Sequence, residues 1–247
     1  MEGPSLVILK EEIQPFRGKV VSEAFGLAKL NYDQLNGKTI EDFQTWGKHF
    51  LVVFQAFSLR IHFLMFGSYR VNETKDRNPS LHLGFRDKSE LNFYTCSIRE
   101  IESPIDEVYD WASDIMSDRW DAGKAKRKLK SYAELNVGDA LLDQEIFSGV
   151  GNIIKNEVLY RIGVHPDSNL GALPPRKLTA LVKEARSYSF DFYRWKKNYE
   201  LKKHWLVHTK KKCQQCSGPV IKKYTGKMNR RSFYCENCQE LYSAQRH

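Results

Sequence analysis

The sequence predicts an α+β protein in which strands and helices are segregated along the chain, and three observations carry that reading. An amphipathic stretch near the start is followed by strand-like patterns from about Val20 to Ile98. Helical patterns then run from Ser103 to about Lys197. A tight four-cysteine module comes last. One helix, then strands, then helices, then a small metal module suggests two domains with a cleft between them.

Each element has its own signal. Pro4–Ile13 reads as a helix with Leu6, Leu9 and Ile13 on one face. His49–Gln55 and Leu59–Phe66 read as a strand pair joined by a turn around Ala56–Ser58. Ser103-Pro104 opens a second helix, the serine as cap and the proline in the first turn, burying Val108, Trp111, Ala112 and Ile115. The stretch Asp121–Tyr132 holds Lys124, Lys126, Arg127, Lys128 and Lys130 and reads as a basic linker. Gly138 to about Phe147, Asn152 to about Ile162 and Pro174 to about Lys197 read as helices. These signals divide the chain into residues 1–120, 121–208 and 209–247.

The bulk composition bounds the function. The 247 residues are 41% hydrophobic, enough for compact domains with cores, and no run approaches a membrane span of about 20 apolar residues. Met1 to Glu12 carries acids where a secretory leader needs cations, so an intracellular, reducing setting is expected. A formal net charge of +9 favours an anionic partner, although lysine-rich surfaces also serve only to solvate.

Four of the five cysteines form the pairs Cys213-x-x-Cys216 and Cys235-x-x-Cys238, separated by eighteen residues. Each pair can close a turn that points two thiolates at one ion, and two such knuckles complete a closed tetrahedral zinc site. A redox dithiol is the plainer alternative. Four thiolates leave zinc no open position, so the ion is scaffold. Cys96 stands apart and reads as a buried strand residue. From Lys202 to Tyr234 the chain carries Lys202, Lys203, Lys210, Lys211, Lys212, Lys222, Lys223, Lys227, Arg230 and Arg231 and no acid. Ten cations on a rigid hairpin and its approach suit phosphate binding, against the alternative of a solvated protein-interaction ribbon.

Before the hairpin, Leu141-Leu142-Asp143-Gln144 leads to Gly149-Val150-Gly151-Asn152 and then an apolar helix. Two glycines permit a tight turn, and Asn152 stands where a helix N-cap belongs. The amides behind such a cap form an anion site, so Asn152 is a structural cap or a phosphate contact.

Together these residues resemble the Fpg/Nei family of DNA glycosylases, in its endonuclease VIII-like branch. The Leu141–Asn152 stretch is similar to that family's helix–two-turns–helix signature, and the four-cysteine hairpin with Arg230 five residues before Cys235 is similar to its zinc finger. Met1-Glu2-Gly3-Pro4, Trp46-Gly47-Lys48 and His62-Phe63-Leu64-Met65-Phe66-Gly67 fall in family order. The resemblance implies an N-terminal helix and two-layer β-sandwich, then a helix–two-turns–helix domain with the zinc finger. It implies a monomeric enzyme of base excision repair, one that flips a damaged nucleotide out of double-stranded DNA and cuts its glycosidic bond.

The resemblance also assigns roles. Glu2 matches the catalytic carboxylate, although an acid there alone would read as a helix-dipole complement. Lys48, Asn152 and Arg230 match phosphate contacts, the arginine because its donor fork pairs with phosphate. Leu64, Met65 and Phe66 would fill the space left by the flipped base. Such a run usually belongs to a core, but three consecutive residues cannot all face one side of a strand.

The chain departs from the family at its first residue. The family's nucleophile is an N-terminal proline, whereas Met1 stands here and Glu2 is too large for ordinary removal of the methionine. Either the α-amine of Met1 attacks the sugar, or Glu2 activates water with little strand cleavage, or only binding of abasic or distorted DNA remains. Ser5 replaces a common second glutamate, and Phe93–Arg99 lacks the Arg-x-Phe pattern of the Fpg branch. A zinc ribbon acting on RNA or a polymerase is the remaining alternative.

Overall fold

A computed structural model describes residues 1–243. The described residues form two compact units, one of Met1 and Ser5–Asp110, the other of Glu2–Pro4 and the residues from Trp111 onward. The division falls ten residues before the expected one, and the cysteine hairpin belongs to the second unit.

The first unit begins with most of helix α1 (Gly3–Glu12), whose Leu6 and Leu9, with Ile13 just beyond, are fully buried as the spacing predicts. Strands β1 (Val21–Phe25), β2 (Asp42–Trp46), β3 (His49–Val53), β4 (Ser58–Val71), β5 (Leu81–Phe85) and β6 (Glu90–Ile101) follow. They form one continuous antiparallel sheet in the order β1-β5-β6-β4-β3-β2. Every residue of β5 is buried, as are Phe50, Leu51 and Val52 of β3, so the sheet is covered on both faces at these two strands. Phe43, Phe50 and Phe93 join the α1 leucines in one core.

After β6 the expected long helix is not formed. Helix α2 is a single turn (Ile105–Val108), Pro104 occupies the cap position without a side-chain bond, and Tyr109 returns to extended backbone. Val108 is 44% exposed, while Tyr109 and Ile115 are buried. The apolar spacing there comes from a turn and a short 3-10 segment, Trp111–Ser113, not from one helical face.

The second unit corrects a further expectation. The basic stretch is not a linker but helix α3 (Ala122–Ser131), capped by Asp121 accepting the Lys124 N–H at 2.9 Å. Its Ala125 and Leu129 are buried, Arg127 and Lys130 are exposed, and Lys124, Lys126 and Lys128 are half-buried. Helix α4 (Val137–Leu142) is capped by the Asn136 side chain. It ends earlier than the pattern suggested because Asp143 takes extended backbone and its carboxylate binds the Glu145 N–H at 2.8 Å. Helices α5 (Asn152–Arg161) and α6 (Pro175–Lys197) lie close to their expected bounds. Ile154, Val158, Leu181 and Tyr188 meet in the core of this unit. Strands β7 (Ile221–Thr225) and β8 (Arg230–Tyr234) form the hairpin. Among the described residues, no helix is long and apolar enough to cross a membrane.

Candidate active site and nucleic-acid interface

Helix α5 organises the chemistry of the second unit. Its first amides would be orphaned, and the expected solution was capping by Asn152. The structure corrects this. Gly151 holds the cap position and Asn152 is the first helical residue. The cap is supplied from far away in sequence: Glu2 accepts the Ile153 N–H at 2.7 Å and the Ile154 N–H at 3.3 Å. A carboxylate at the positive end of a helix is favourably placed. The Gly3 N–H donates to the Gly149 carbonyl at 2.9 Å and fixes the same approach. Of the two glycines, Gly149 takes a positive φ of 99°, whereas Gly151 is extended at −120°. Gly151 is needed for space: a Cβ there would lie 2.4 Å from Cγ of Glu2. With the cap satisfied by Glu2, Asn152 is released from that duty, and its buried Oδ1 has no hydrogen-bond partner.

Three consecutive polar residues of α5 then reach the C-terminal module. Lys155 Nζ donates to Ser232 Oγ at 2.8 Å and to the Arg231 carbonyl at 3.3 Å. Asn156 Oδ1 accepts the Phe233 N–H at 3.3 Å, and its amide nitrogen meets His208 Nδ1 at 3.1 Å. Glu157 accepts three N–H groups, from Leu206, Val207 and His208, at 2.8–3.0 Å. All three side chains are buried. Burial, and then the charge of Arg230, pushes the Lys155 ammonium down to about 8, while Asp139, Asp167 and Glu2 act in the opposite direction. None of these roles was assigned from the sequence. A signal was present: Ile153-Ile154 and Val158-Leu159 flank Lys155-Asn156-Glu157, and a helix with apolar residues so placed is covered all round, polar positions included.

In the hairpin the four thiols converge. The sulfurs of Cys213, Cys216, Cys235 and Cys238 all lie within 4.8 Å of one another. The separations Cys213–Cys238 and Cys216–Cys235 are 3.7 and 3.5 Å. Thiolates at tetrahedral corners around one ion at about 2.3 Å stand about 3.8 Å apart, whereas a disulfide needs about 2.05 Å. The set therefore fits a single metal ion and not two disulfides. Tyr160 OH lies 3.0 Å from the Cys213 sulfur, where it supports that ligand. Of the ten cations, all but Lys210 are exposed, and Arg230 opens β8 opposite Thr225 at the hairpin tip.

In the first unit, Lys48 lies in the two-residue turn between Trp46 and His49. Its carbonyl is 3.2 Å from His62 Nδ1. Burial lowers the proton affinity of His62, its bond to the Lys48 backbone opposes this, and the charges of the α-amine, Lys48 and Arg60 lower it further. The Met1 amine, Lys48 and His62 thus share one electropositive neighbourhood. Met1 also packs on the sheet core.

The run Leu64-Met65-Phe66 is exposed, Phe66 at 86% and Met65 at 78%. In the β4–β6 ladder Phe63 pairs with Cys96 and Ser68 with Tyr94, so four residues of β4 stand opposite Thr95 alone. This bulge turns the three apolar side chains outward, with Phe66 at a positive φ of 65°. Cys96 is half-buried on β6 rather than fully so.

A helix pair whose second member begins on an acid-capped glycine turn, beside a basic four-thiolate hairpin, defines a helix–two-turns–helix protein. Family models agree. Residues 9–98 match the formamidopyrimidine-DNA glycosylase N-terminal domain and residues 112–188 match that family's H2TH domain. The chain belongs to the Fpg/Nei family of DNA glycosylases, in its endonuclease VIII-like branch. It is 31% identical over 214 residues to Endonuclease 8-like 3 of Mus musculus, covering 83% of this chain and 35% of that protein. It is 34% identical over 202 residues to Endonuclease 8-like 2 of Bos taurus, covering 75% and 59%. The chain thus spans about a third of the first relative's length and less than two thirds of the second's. A viral DNA glycosylase shares the fold with a TM-score of 0.84 at 19% identity, over 97% of this chain and 100% of the other. So does the Lactococcus lactis formamidopyrimidine-DNA glycosylase bound to DNA containing an abasic site, with a TM-score of 0.83 at 19% identity over 97% and 100%.

Proposed function

We propose that this chain is a DNA glycosylase of base excision repair, acting on intracellular double-stranded DNA that contains damaged or abasic nucleotides. The observation that carries the reading is the seat of Glu2, a carboxylate fixed on the first amides of α5 beside Asn152. Glu2 is the catalytic acid or base. Cleavage breaks the bond between C1′ and the base nitrogen, the base leaving with the electron pair and gaining a proton relayed by Glu2. The entering nucleophile is the Met1 amine, whose reference pKa of about 8 leaves part of it unprotonated at neutral pH. As a primary amine in place of a proline it supports base release with weak strand cleavage. Water activated by Glu2 is the competing nucleophile.

Lys48, Asn152 and Arg230 hold phosphates around the extruded nucleotide. Leu64, Met65 and Phe66 enter the vacated stack, for which their outward bulge supports the assignment. Zinc held by the four cysteines keeps the hairpin folded and takes no part in the reaction.

Base release from duplexes carrying oxidised pyrimidines or ring-opened purines tests the proposal, beside borohydride trapping on an abasic duplex. Wild type should release base and Glu2→Gln should not. A trapped adduct that disappears when the N-terminus is blocked assigns the amine, and base release without an adduct assigns water. No release from any of these duplexes, with Glu2→Gln indistinguishable, refutes the enzyme and leaves a binder of distorted DNA.

A further inference from the structure

We infer that Asp139 and Lys155 are positioning residues that set the hairpin tip, and with it Arg230, from the helical part of the second unit. The inference rests on the reading of Arg230 as a phosphate contact. Asp139 lies in the first turn of α4, yet its carboxylate serves another segment. One oxygen accepts the Lys227 N–H at 2.7 Å and the other the Met228 N–H at 3.3 Å. These are the amides of the turn between β7 and β8. On the other side of Arg230, Lys155 binds the Arg231 carbonyl and the Ser232 hydroxyl. The backbone is thus held two residues before Arg230 by a buried anion and one residue after it by a buried cation.

The burial is costly unless it serves these contacts. Asp139 is 5% exposed and Lys155 1%, and charges so placed persist only when paired and hydrogen-bonded. The hairpin is shaped to receive them. Gly226 has φ +70°, and a Cβ there would lie 2.3 Å from an Asp139 oxygen, so the carboxylate occupies the space a side chain would fill. Beneath the tip, the Thr225 and Ser232 hydroxyls meet at 2.6 Å and tie the two strands. The Arg230 side chain is exposed on a backbone whose neighbours are fixed. A guanidinium held this way spends less conformational freedom on meeting a phosphate.

The test is a double-mutant cycle with a second readout that needs no DNA. Binding of a duplex with a tetrahydrofuran abasic analogue is measured for wild type, Asp139→Ala, Arg230→Ala and the double variant. Loss of two bonds to a charged acceptor should weaken binding in Asp139→Ala by roughly tenfold or more. The double variant should bind no more weakly than Arg230→Ala alone. Gly226→Ala, which displaces the carboxylate from the hairpin side, should behave as Asp139→Ala. In the free protein, amide exchange at Lys227 and Met228 should accelerate roughly tenfold or more in both variants, with the metal content per chain unchanged. Additive losses in the cycle, or unaltered exchange at the two amides, overturn the inference. If Arg230→Ala binds like wild type, the role of Arg230 in the proposed function fails, while the exchange readout still decides whether Asp139 holds the tip.

Discussion

Gly151→Ala tests the placement of Glu2 without altering Glu2 itself. The glycine has extended backbone, so alanine adopts the conformation without strain. Its Cβ, however, would stand 2.4 Å from Cγ and 2.5 Å from Cδ and Oε1 of Glu2. The carboxylate must leave its seat, releasing the Ile153 amide at 2.7 Å and the Ile154 amide at 3.3 Å. One strong and one long charge-assisted bond amount to about 2–4 kcal/mol. Replacing glycine offsets this by about 0.4–1 kcal/mol through the unfolded chain. A net loss of about 1–3 kcal/mol lowers the melting temperature of a chain this size by roughly 3–10 °C. Displacing the carboxylate should also slow single-turnover base release by about 100-fold or more, the usual contribution of a positioned acid or base. Glu2→Gln keeps an acceptor oxygen, so it should lose as much rate with a smaller thermal shift. Thermal melts and single-turnover assays on the same preparations decide the matter. A Gly151→Ala protein that melts at or above wild type and keeps its rate within about twofold would refute the reasoning.

Other consequences follow from the same geometry. Cys216→Ser, or removal of the metal with a chelator, should reduce zinc to well below one ion per chain and lower the melting temperature, as metal analysis and calorimetry will show. Phe66→Ala and Met65→Ala remove exposed side chains, so stability should stay within about 0.5 kcal/mol while affinity for a lesion duplex falls; a large drop in stability would mean they belong to the core. Burial, and then the charge of Lys155, holds His208 down to about 4 against an ordinary 6.5. Its folded form binds fewer protons than the unfolded chain across that window, so stability is lost as pH falls from about 6.5 toward about 4. Urea unfolding against pH should show a shallower slope there in His208→Gln, and an unchanged slope would exclude His208 as a contributor. Burial, then Arg60 and His62, does the same to His49, which should leave a residual slope in that variant.

Much of the molecule is legible where spacing alone decides the outcome. The Leu6, Leu9 and Ile13 face, the four cysteines and the bounds of α5 and α6 follow from period and ligand geometry. Helix α3 was obscured because its cations dominate the composition, although Asp121 three residues before Lys124 was a cap signal. The Ser103-Pro104 helix failed for the converse reason: apolar residues at helical spacing met a chain that turns extended at Tyr109. At the candidate site, alternation requires at least one of Leu64, Met65 and Phe66 to be exposed, but the bulge opposite Thr95 that exposes all three is not in the pattern. The cap on α5 was assigned to Asn152, its neighbour in sequence, because local pattern contains nothing about a carboxylate 151 residues away. The sequence assigns no role to Asp139, Lys155 or Glu157 for the same reason: their partners lie 88, 77 and 50 residues on.

That separation between Glu2 and α5 bears on how the protein is made. Glu2 finds its hydrogen-bond partners only after Ile153 and Ile154 have been synthesised and their helix has formed. Contacts of such span form late, because the intervening chain must first be ordered. A nascent chain that has completed its sheet still carries an unseated Glu2. Conversely, a fragment beginning at Trp111 leaves the first amides of α5 without their cap. The carboxylate proposed to release the base is therefore seated only after α5 exists, and a chain terminated before Ile153 cannot hold it in place.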